Sequence, residues 1–429
     1  MKINVIDYSK LPDNKILCVD IRSFFASVEA IERGLDPLKV CLAVVGDKSR
    51  SGSVVLAASP VLKQKYDIKT GNRLFEISPA SDILIVEARM GLYLKRSLEI
   101  TLLFHEFLPL EAIHVYSVDE SWLKLDGLKT FSKNIFPNGK TNKRQLALLI
   151  KKELLKRFGL PCSMGLGPNM FLAKVAMDIE GKKIGLADWA YEDVSKKLWP
   201  LKLEECWGIG YRLAKNFRRI GINTIGELAQ LPLKYLEKKF GIMGSQLYYH
   251  ARGVDLSRVE GHYNDRHKSM GRGITLFRDY TNPGEIKTVI FELAEEAARR
   301  ARTRGMSGQT IYLGVGYSRS EKEKGFHKQQ TINHYTNLTS DIYRTAESLF
   351  DQNYKGQKVR RISVALGKLS SVQGFQLDLF SDKVFETRLN QVKDLVEKRF
   401  GHNALFPGRS LCEGSIRKRI KTTIGGHGV

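Results

Sequence analysis

The stretch Tyr116-Ser117-Val118-Asp119-Glu120-Ser121 decides how this chain is read. Val115 to Leu125 has the apolar, β-branched and aromatic content of a strand, yet two adjacent carboxylates interrupt it where a buried strand avoids charge. Something must compensate them. A hard divalent cation such as Mg²⁺ would, because it takes oxygen ligands and is held by one or two carboxylates plus substrate phosphates. Adjacent strand residues point to opposite faces, so Asp119 and Glu120 serve one site only if the chain turns there or a second ion sits nearby. A third acid is then needed. Lys15-Ile16-Leu17-Cys18-Val19-Asp20-Ile21 offers one at the end of an almost continuously apolar run of strand length. On spacing alone the competing reading is a solvated turn at Asp119-Glu120, with Asp20 capping the helix that follows it.

At 429 residues the chain exceeds one ordinary core and is expected to form about three or four domains. Lysine and arginine outnumber the acids 69 to 46, a formal charge of +23, so the default partner is a polyanion. Nucleic acid is favoured over membrane, since no apolar run reaches the roughly 18 residues of a spanning helix. The start, Met1 to Asp7, lacks the apolar core of a secretory signal, and a cytoplasmic location is expected. Cys18, Cys41, Cys162, Cys206 and Cys412 stand singly with no CxxC pair, which argues against a zinc site or a disulfide framework.

After Asp20, Ile21-Arg22-Ser23-Phe24-Phe25-Ala26-Ser27 reads as a strand-to-helix junction. Its two phenylalanines are core, or one of them is a floor for a substrate sugar. Ser53 to Ala58 is a short strand, followed by Lys63, Lys65, Lys69 and Arg73 interleaved with Tyr66 and Phe75, a solvated face or a phosphate contact. Gly91 to Leu108 has helical spacing through Leu92, Leu98, Leu102 and Leu103. A polar loop covers 129–143, a second helix 146–158 and a strand 161–167. Asn169 then opens a helix carrying Lys174, with Lys182 and Lys183 beyond it. This order fits a mixed sheet with helices on one face. Cys206-Trp207-Gly208-Ile209-Gly210 lies between two helical patterns, where glycines let backbone amides at a helix start approach a phosphate. Thr224 and Glu227 form a capping box for the next helix. The alternative for this hairpin is a plain αα turn.

Residues 261–268 are polar and read as a linker, after which a βαββαβ order runs to Leu366. Ile311, Leu313, Val315 and Tyr317 alternate with Tyr312, Gly314 and Gly316, so one sheet face is apolar and the other nearly bare. Arg272, Lys328 and Arg361 are expected to line the bare face with positive charge. Past Leu369 a linker-like stretch leads to Gln376-Leu377-Asp378-Leu379-Phe380, whose apolar anchors suit a partner's groove or a short strand. A helix over 382–400 and a basic end complete the chain.

Four features in this order resemble the Y-family, or translesion, DNA polymerases. They are Val19-Asp20-Ile21-Arg22-Ser23-Phe24-Phe25-Ala26-Ser27-Val28-Glu29, Tyr116-Ser117-Val118-Asp119-Glu120, Gly208-Ile209-Gly210 and Lys268-Ser269-Met270-Gly271-Arg272-Gly273. The form of the first is most similar to the bacterial SOS branch, including the polymerase V catalytic subunit and its Gram-positive relatives. The resemblance implies an α+β multidomain right hand. Its palm would be 1–25 and 90–188, its fingers 26–89, its helix-hairpin-helix thumb 189–258, a linker 259–268, a βαββαβ little finger 269–369, and a clamp-binding motif and basic tail 370–429.

It further implies two Mg²⁺ ions held by Asp20, Asp119, Glu120 and the Ile21 carbonyl, with Phe25 as the steric gate against a ribose 2′-hydroxyl. Phe24, Ser59, Lys63 and Lys182 would bind nucleotide, with Lys65 and Lys183 as register alternatives for the two lysines. Gly208, Gly210, Arg272 and Arg361 would contact DNA, and Gln376, Leu377, Asp378, Leu379 and Phe380 the bacterial sliding clamp. Two departures stand out. Ser59-Pro60-Val61-Leu62-Lys63 replaces the Tyr-x-x-Arg often found in the fingers, and Arg22 stands where many relatives have an acid. The implied activity is low-fidelity, template-directed synthesis past damaged DNA, with primer-template DNA, dNTPs, the clamp and SOS accessory proteins as partners. The rivals are a non-catalytic DNA-binding accessory protein on the same fold and a two-metal nuclease. The three acids and the phenylalanine pair beside Asp20 favour the polymerase.

Overall fold

The computed structural model describes residues 6–78, 82–125, 142–259, 268–371, 382–401, 404–405, 407–417, 423–424 and 427–428. The chain forms two compact units, Met1–Asn264 with His427–Val429, and Asp265–Gly426.

In the first unit β1 (Ile16–Ile21) is followed by α1 (Phe24–Ile31), β2 (Cys41–Val45), β3 (Val55–Ala58), α2 (Pro60–Tyr66), β4 (Ile83–Glu87) and α3 (Met90–Phe107). Then come β5 (Ile113–Val115), β6 (Glu120–Lys124), α4 (Lys143–Phe158), β7 (Cys162–Gly167), α5 (Met170–Ala176), a π-turn over Met177–Gly181, α6 (Lys182–Ile184) and β8 (Leu186–Asp188). The larger sheet has the order β5-β6-β1-β7-β8, antiparallel except for the β7–β8 pair. Its centre is β1, whose run of apolar residues is buried on both sides. Leu17, Val19 and Ile21 pack with Ile100, Leu103 and Phe104 of α3 and Ile150 and Leu154 of α4. Ile16 and Cys18 pack on the other side with Trp122 and with Met170 and Ala173 of α5. Helices therefore cover both faces, not one, as the lack of polar alternation in β1 requires.

The Val115–Leu125 stretch is not one strand. The chain turns through Tyr116–Asp119, where the amides of Tyr116 and Ser117 both donate to the Glu120 carbonyl at 3.0 and 3.1 Å. In α3 the buried residues are Tyr93, Ile100, Leu103, Phe104 and Phe107, whereas Leu98 and Leu102 are exposed. Leu103 and Leu92 of the expected stripe do pack on the core, so leucine spacing was right at two positions and wrong at Leu98 and Leu102, because apolar residues lie on more than one side of this helix.

A separate three-stranded sheet, β3-β2-β4, and α2 enclose a small core of Cys41, Ala43, Val45, Val55 and Leu62. Beyond β8, α7 (Tyr211–Arg218), α8 (Ile225–Ala229), α9 (Leu233–Phe240) and α10 (Ile242–His250) gather around Phe217, Leu228, Leu236 and Leu247. The capping box of α8 is formed: Thr224 Oγ1 accepts from the Glu227 amide and Glu227 Oε2 from the Thr224 amide, both at 3.2 Å. Ahead of Gly208 stands a single 3-10 turn, Leu203–Glu205, in place of a full helix.

The second unit runs β9 (Ser269–Tyr280), α11 (Pro283–Thr303), β10 (Gly308–Tyr317), β11 (Gly325–Thr336), α12 (Thr339–Asn353) and β12 (Val359–Gly367), followed by α13 (Lys383–Phe400). Its four strands are antiparallel in the order β11-β10-β12-β9. Ile311, Leu313 and Val315 of β10 pack on α11 and α12. No helix among the described residues is long and apolar enough to cross a membrane.

Two glycines hold the helical arm against the central sheet. A Cβ on Gly165 would lie 2.2 Å from the Ala173 carbonyl oxygen and 2.4 Å from the Met177 amide nitrogen, and one on Gly181 would lie 2.3 Å from the Met164 carbonyl oxygen. Gly165→Ala is expected to cost about 1–3 kcal/mol in urea unfolding, while Gly52→Ala, whose Cβ meets nothing within 4 Å, changes stability by less than about 0.5 kcal/mol.

Candidate active site

Strand register brings the three acids together. Asp20 and Glu120 are directly opposed across the antiparallel β1–β6 pair, and the Ile21 amide donates to the Asp119 carbonyl at 2.9 Å. Asp119 lies in the turn rather than in a strand, so alternation does not force it away from its neighbour. Asp20 shares its sheet face with Cys18, the side covered by α5. Burial pushes the Asp20 carboxyl up to about 6; Lys182 and Lys174 oppose that rise, and the charges of Asp119 and Glu120 add to it.

Lysines supply the countercharge. Lys174, buried on α5, donates to Glu120 Oε2 at 2.9 Å and lies 3.4 Å from Asp178. Burial works to discharge Lys174, but the Cys18, Glu120 and Asp178 side chains outweigh it and hold its pKa above the usual lysine value. Lys182 lies 2.6 Å from Asp178 and 3.8 Å from Asp20. The π-turn between Lys174 and Lys182 adds a residue to the helical turn and brings Lys182 to the acids. Arg22 bonds Ser163 Oγ at 3.2 Å and the Lys182 carbonyl, pinning this segment to β7.

These donors suit a hard cation by chemistry, being clustered carboxylates of which Asp119 and Glu120 add to the rise at Asp20, with the Ile21 carbonyl at the end of the same strand. Among the described residues they do not form a ready-made cage of three metal-ligating side chains. Glu120 is engaged by Lys174, and Asp119 Oδ1 accepts from Ser117 Oγ at 2.6 Å.

Beside the acids, α1 begins at Ser23, a non-glycine residue held at φ +46° with no side-chain cap on the helix start. Lys63 Nζ donates to Ser23 Oγ at 2.9 Å. Burial lowers the Lys63 pKa, Asp20 opposes that change and Lys182 adds to it, so Lys63 belongs electrostatically to the same cluster. Lys65 is instead paired with Asp82 at 2.7 Å on the exposed side of α2. Phe25 is half-buried and stacks on Tyr93, ring centroids 4.3 Å apart at 14°.

Four expected site residues need correction. Phe24 is buried in the core, so its ring cannot meet a nucleotide. Ser59 is buried too, and its hydroxyl is spent in the fold: it accepts from the Leu42 and Leu62 amides and donates to the Val40 carbonyl. A serine before Pro60 is a helix cap first. Arg272 pairs in register with Val364, which puts it on the helix side of the β9–β12 pair, half-buried and 4.0 Å from Glu296. Lys328 likewise pairs with Leu313 on the helix side. Arg361, opposite Gly316, does lie on the bare face with Gly271, Gly273, Gly314 and Ser363.

Gly208 (φ +91°) and Gly210, the cap residue of α7, have open space where a Cβ would be. Trp207 packs its ring on Trp122 of β6, with centroids 5.7 Å apart. Gln376, Leu377, Asp378, Leu379 and Phe380 lie outside the described residues. Sequence reasoning missed the partners Lys174–Glu120 and Asp178. Their signal was a charge in the apolar run Met170–Met177 and the four-residue spacing of Lys174, Asp178 and Lys182.

A mixed sheet bearing an acid pair on a hairpin, a third acid opposite and a glycine hairpin among helices define a nucleotidyl-transfer class of fold. The chain belongs to the impB/mucB/samB family, the Y-family DNA polymerases: the family profile matches residues 19–178, its C-terminal domain residues 267–379, and the "DNA polymerase-iota, thumb domain" profile residues 205–255. UvrX of Bacillus subtilis (strain 168) is 45% identical over 427 residues, 99% of this chain and 100% of that protein. "DNA polymerase IV 2" of the same organism is 35% identical over 97% of this chain and 99% of its own length. Among solved structures, a Dbh-Dpo4 Y-family polymerase chimera shares the fold at TM-score 0.66 and 23% identity, covering 82% of this chain and 98% of its own.

The Asp20 shift predicts a pH signature in EDTA. A carboxyl raised in the folded state stabilises the fold fully below its unfolded value of 3.8 and loses that contribution as pH rises through about 6. Asp20→Asn, neutral throughout, should therefore exceed the parent protein in urea stability at pH 7.5 by about 1–3 kcal/mol, a gap that closes by pH 4. A difference independent of pH would contradict the clustering.

Proposed function

We propose that the chain is a template-directed, divalent-metal-dependent DNA polymerase of low fidelity that copies past damaged template bases. The observation that carries this reading is the register opposing Asp20 to Glu120 with Asp119 in the adjoining turn, with Lys182 3.8 Å from Asp20 and Lys63 bonded to Ser23 at the start of α1. Asp20, Asp119, Glu120 and the Ile21 carbonyl would hold two Mg²⁺ ions. When bound, these lower the pKa of the primer 3′-hydroxyl and neutralise charge on the triphosphate and the departing pyrophosphate.

The chain's own residues do the rest. Lys63 and Lys182, with the uncapped amides at the α1 N-terminus, suit triphosphate oxygens, since a helix start and ammonium groups both favour anions. Lys174 occupies Glu120 Oε2 before substrate arrives and would compete with a cation for it. Phe25 offers a hydrocarbon surface where a ribose 2′-hydroxyl would clash. The Gly208–Gly210 hairpin and the bare sheet face beside Arg361 suit sequence-independent approach to DNA backbone. Residues 376–380 are read as a docking peptide for the bacterial sliding clamp, which would raise processivity through effective concentration. SOS accessory proteins remain the proposed further partners.

Primer extension with Mg²⁺ and dNTPs tests this directly. The protein should extend a primer on an undamaged template and on one bearing a defined lesion. Asp119→Ala should lose at least about 10³-fold in rate while still binding DNA. Shortening of the primer instead would support the nuclease, and DNA binding without extension the accessory protein. Removal of residues 376–380 should leave basal extension intact and erase stimulation by the clamp.

A further inference from the structure

Glu29 is the acid the mechanism above does not use. It sits on α1 with no exposed side-chain surface, one turn beyond Phe25 and on the same helix side. A buried carboxylate is retained only when fully satisfied, and this one is. Arg89, the residue that caps α3, grips it with both nitrogens of a fork: Nε donates to Oε1 at 2.9 Å and Nη2 to Oε2 at 2.8 Å. Tyr93 donates its hydroxyl to Oε1 at 2.8 Å, and Arg33, in the turn just past α1, donates to Oε2. Burial alone would neutralise Glu29, but the Arg89, Tyr93 and Arg33 hydrogen bonds outweigh it and lower its pKa.

The consequence falls on Phe25. Tyr93 is fully buried, its hydroxyl fixed by Glu29 and its ring stacked almost parallel on Phe25, while Phe24 meets it edge-on at 6.5 Å. The ring proposed to face the sugar is thus backed by a second ring that cannot retreat. We propose that Glu29, locked by Arg89, is a positioning residue for sugar selection: it immobilises Tyr93, and through it the Phe25 wall that rejects ribonucleotides. An apolar pocket discriminates weakly against one added hydroxyl unless its wall is unable to yield. Rigidity here comes from a bidentate charge-assisted clamp spanning α1 and α3.

This inference rests on the gate reading of Phe25, and the experiment separates the two. Single-nucleotide insertion is measured for dNTP and rNTP with the full chain, Phe25→Ala, Glu29→Gln, Tyr93→Phe and the double variant Phe25→Ala/Glu29→Gln. Tyr93→Phe keeps the stack and removes one hydroxyl, so it remains informative where Glu29→Gln does not fold. Glu29→Gln and Tyr93→Phe should each lower the dNTP/rNTP ratio of kcat/KM about tenfold, with dNTP insertion changed by less than about threefold. The double variant should match Phe25→Ala alone, because residues acting through one ring are not additive. An unchanged ratio in Tyr93→Phe, with Phe25→Ala losing discrimination, overturns the clamp and leaves the gate standing. An unchanged ratio in Phe25→Ala overturns both.

Discussion

The structure depends on a repulsion that strand pairing imposes. Hydrogen bonding between β1 and β6 sets Asp20 opposite Glu120, and the hairpin turn adds Asp119, in a sheet whose flanks are apolar on both sides. Water cannot solvate such a cluster freely, so positive charge must come from elsewhere in the chain or from solution. Lys174 and Lys182 reach it from the helical arm behind β7, and Lys63 from α2. The glycines at 165 and 181, the π-turn and the Arg22 tie all serve to bring that arm close enough.

Around this centre the parts divide the work by physical character. The five-stranded sheet is buried on both faces. The α1 N-terminus leaves its backbone amides without a side-chain cap where the proposed triphosphate would lie, at the cost of a left-handed serine. The Gly208–Gly210 hairpin and the bare face of the second sheet offer backbone rather than side chains, which would suit the proposed contact with a duplex whose sequence is not read. A polymerase that accepts distorted templates gains from grip of this kind. Under the proposed gate role of Phe25, sugar choice would fall to a ring held from behind, and tolerance toward the base and strictness toward the sugar would have separate structural sources.

Much of this was legible in the sequence, and the failures have physical reasons. The acids betrayed themselves because charge inside apolar β-branched runs demands compensation, and the Thr224–Glu227 box because its spacing is a backbone geometry. What composition could not supply was direction. Arg272 has the right charge, but strand register turned it toward Glu296. Ser59 has the right chemistry, but its oxygen caps α2. Phe24 and Phe25 are adjacent and identical, and only packing sends one into the core and leaves the other half-buried. The helical register near Lys182 depends on a π-turn that apolar spacing does not announce.

On the proposed mechanism Asp20, Asp119 and Glu120 together hold the divalent cations. The most direct test is electron paramagnetic resonance of Mn²⁺ added to the full chain with primer-template and a non-hydrolysable dNTP analogue. Two bound ions close enough for spin coupling are expected, with the coupling lost in Asp20→Asn and in Asp119→Asn. Equal Mn²⁺ binding and an unchanged spectrum in those variants would contradict that mechanism.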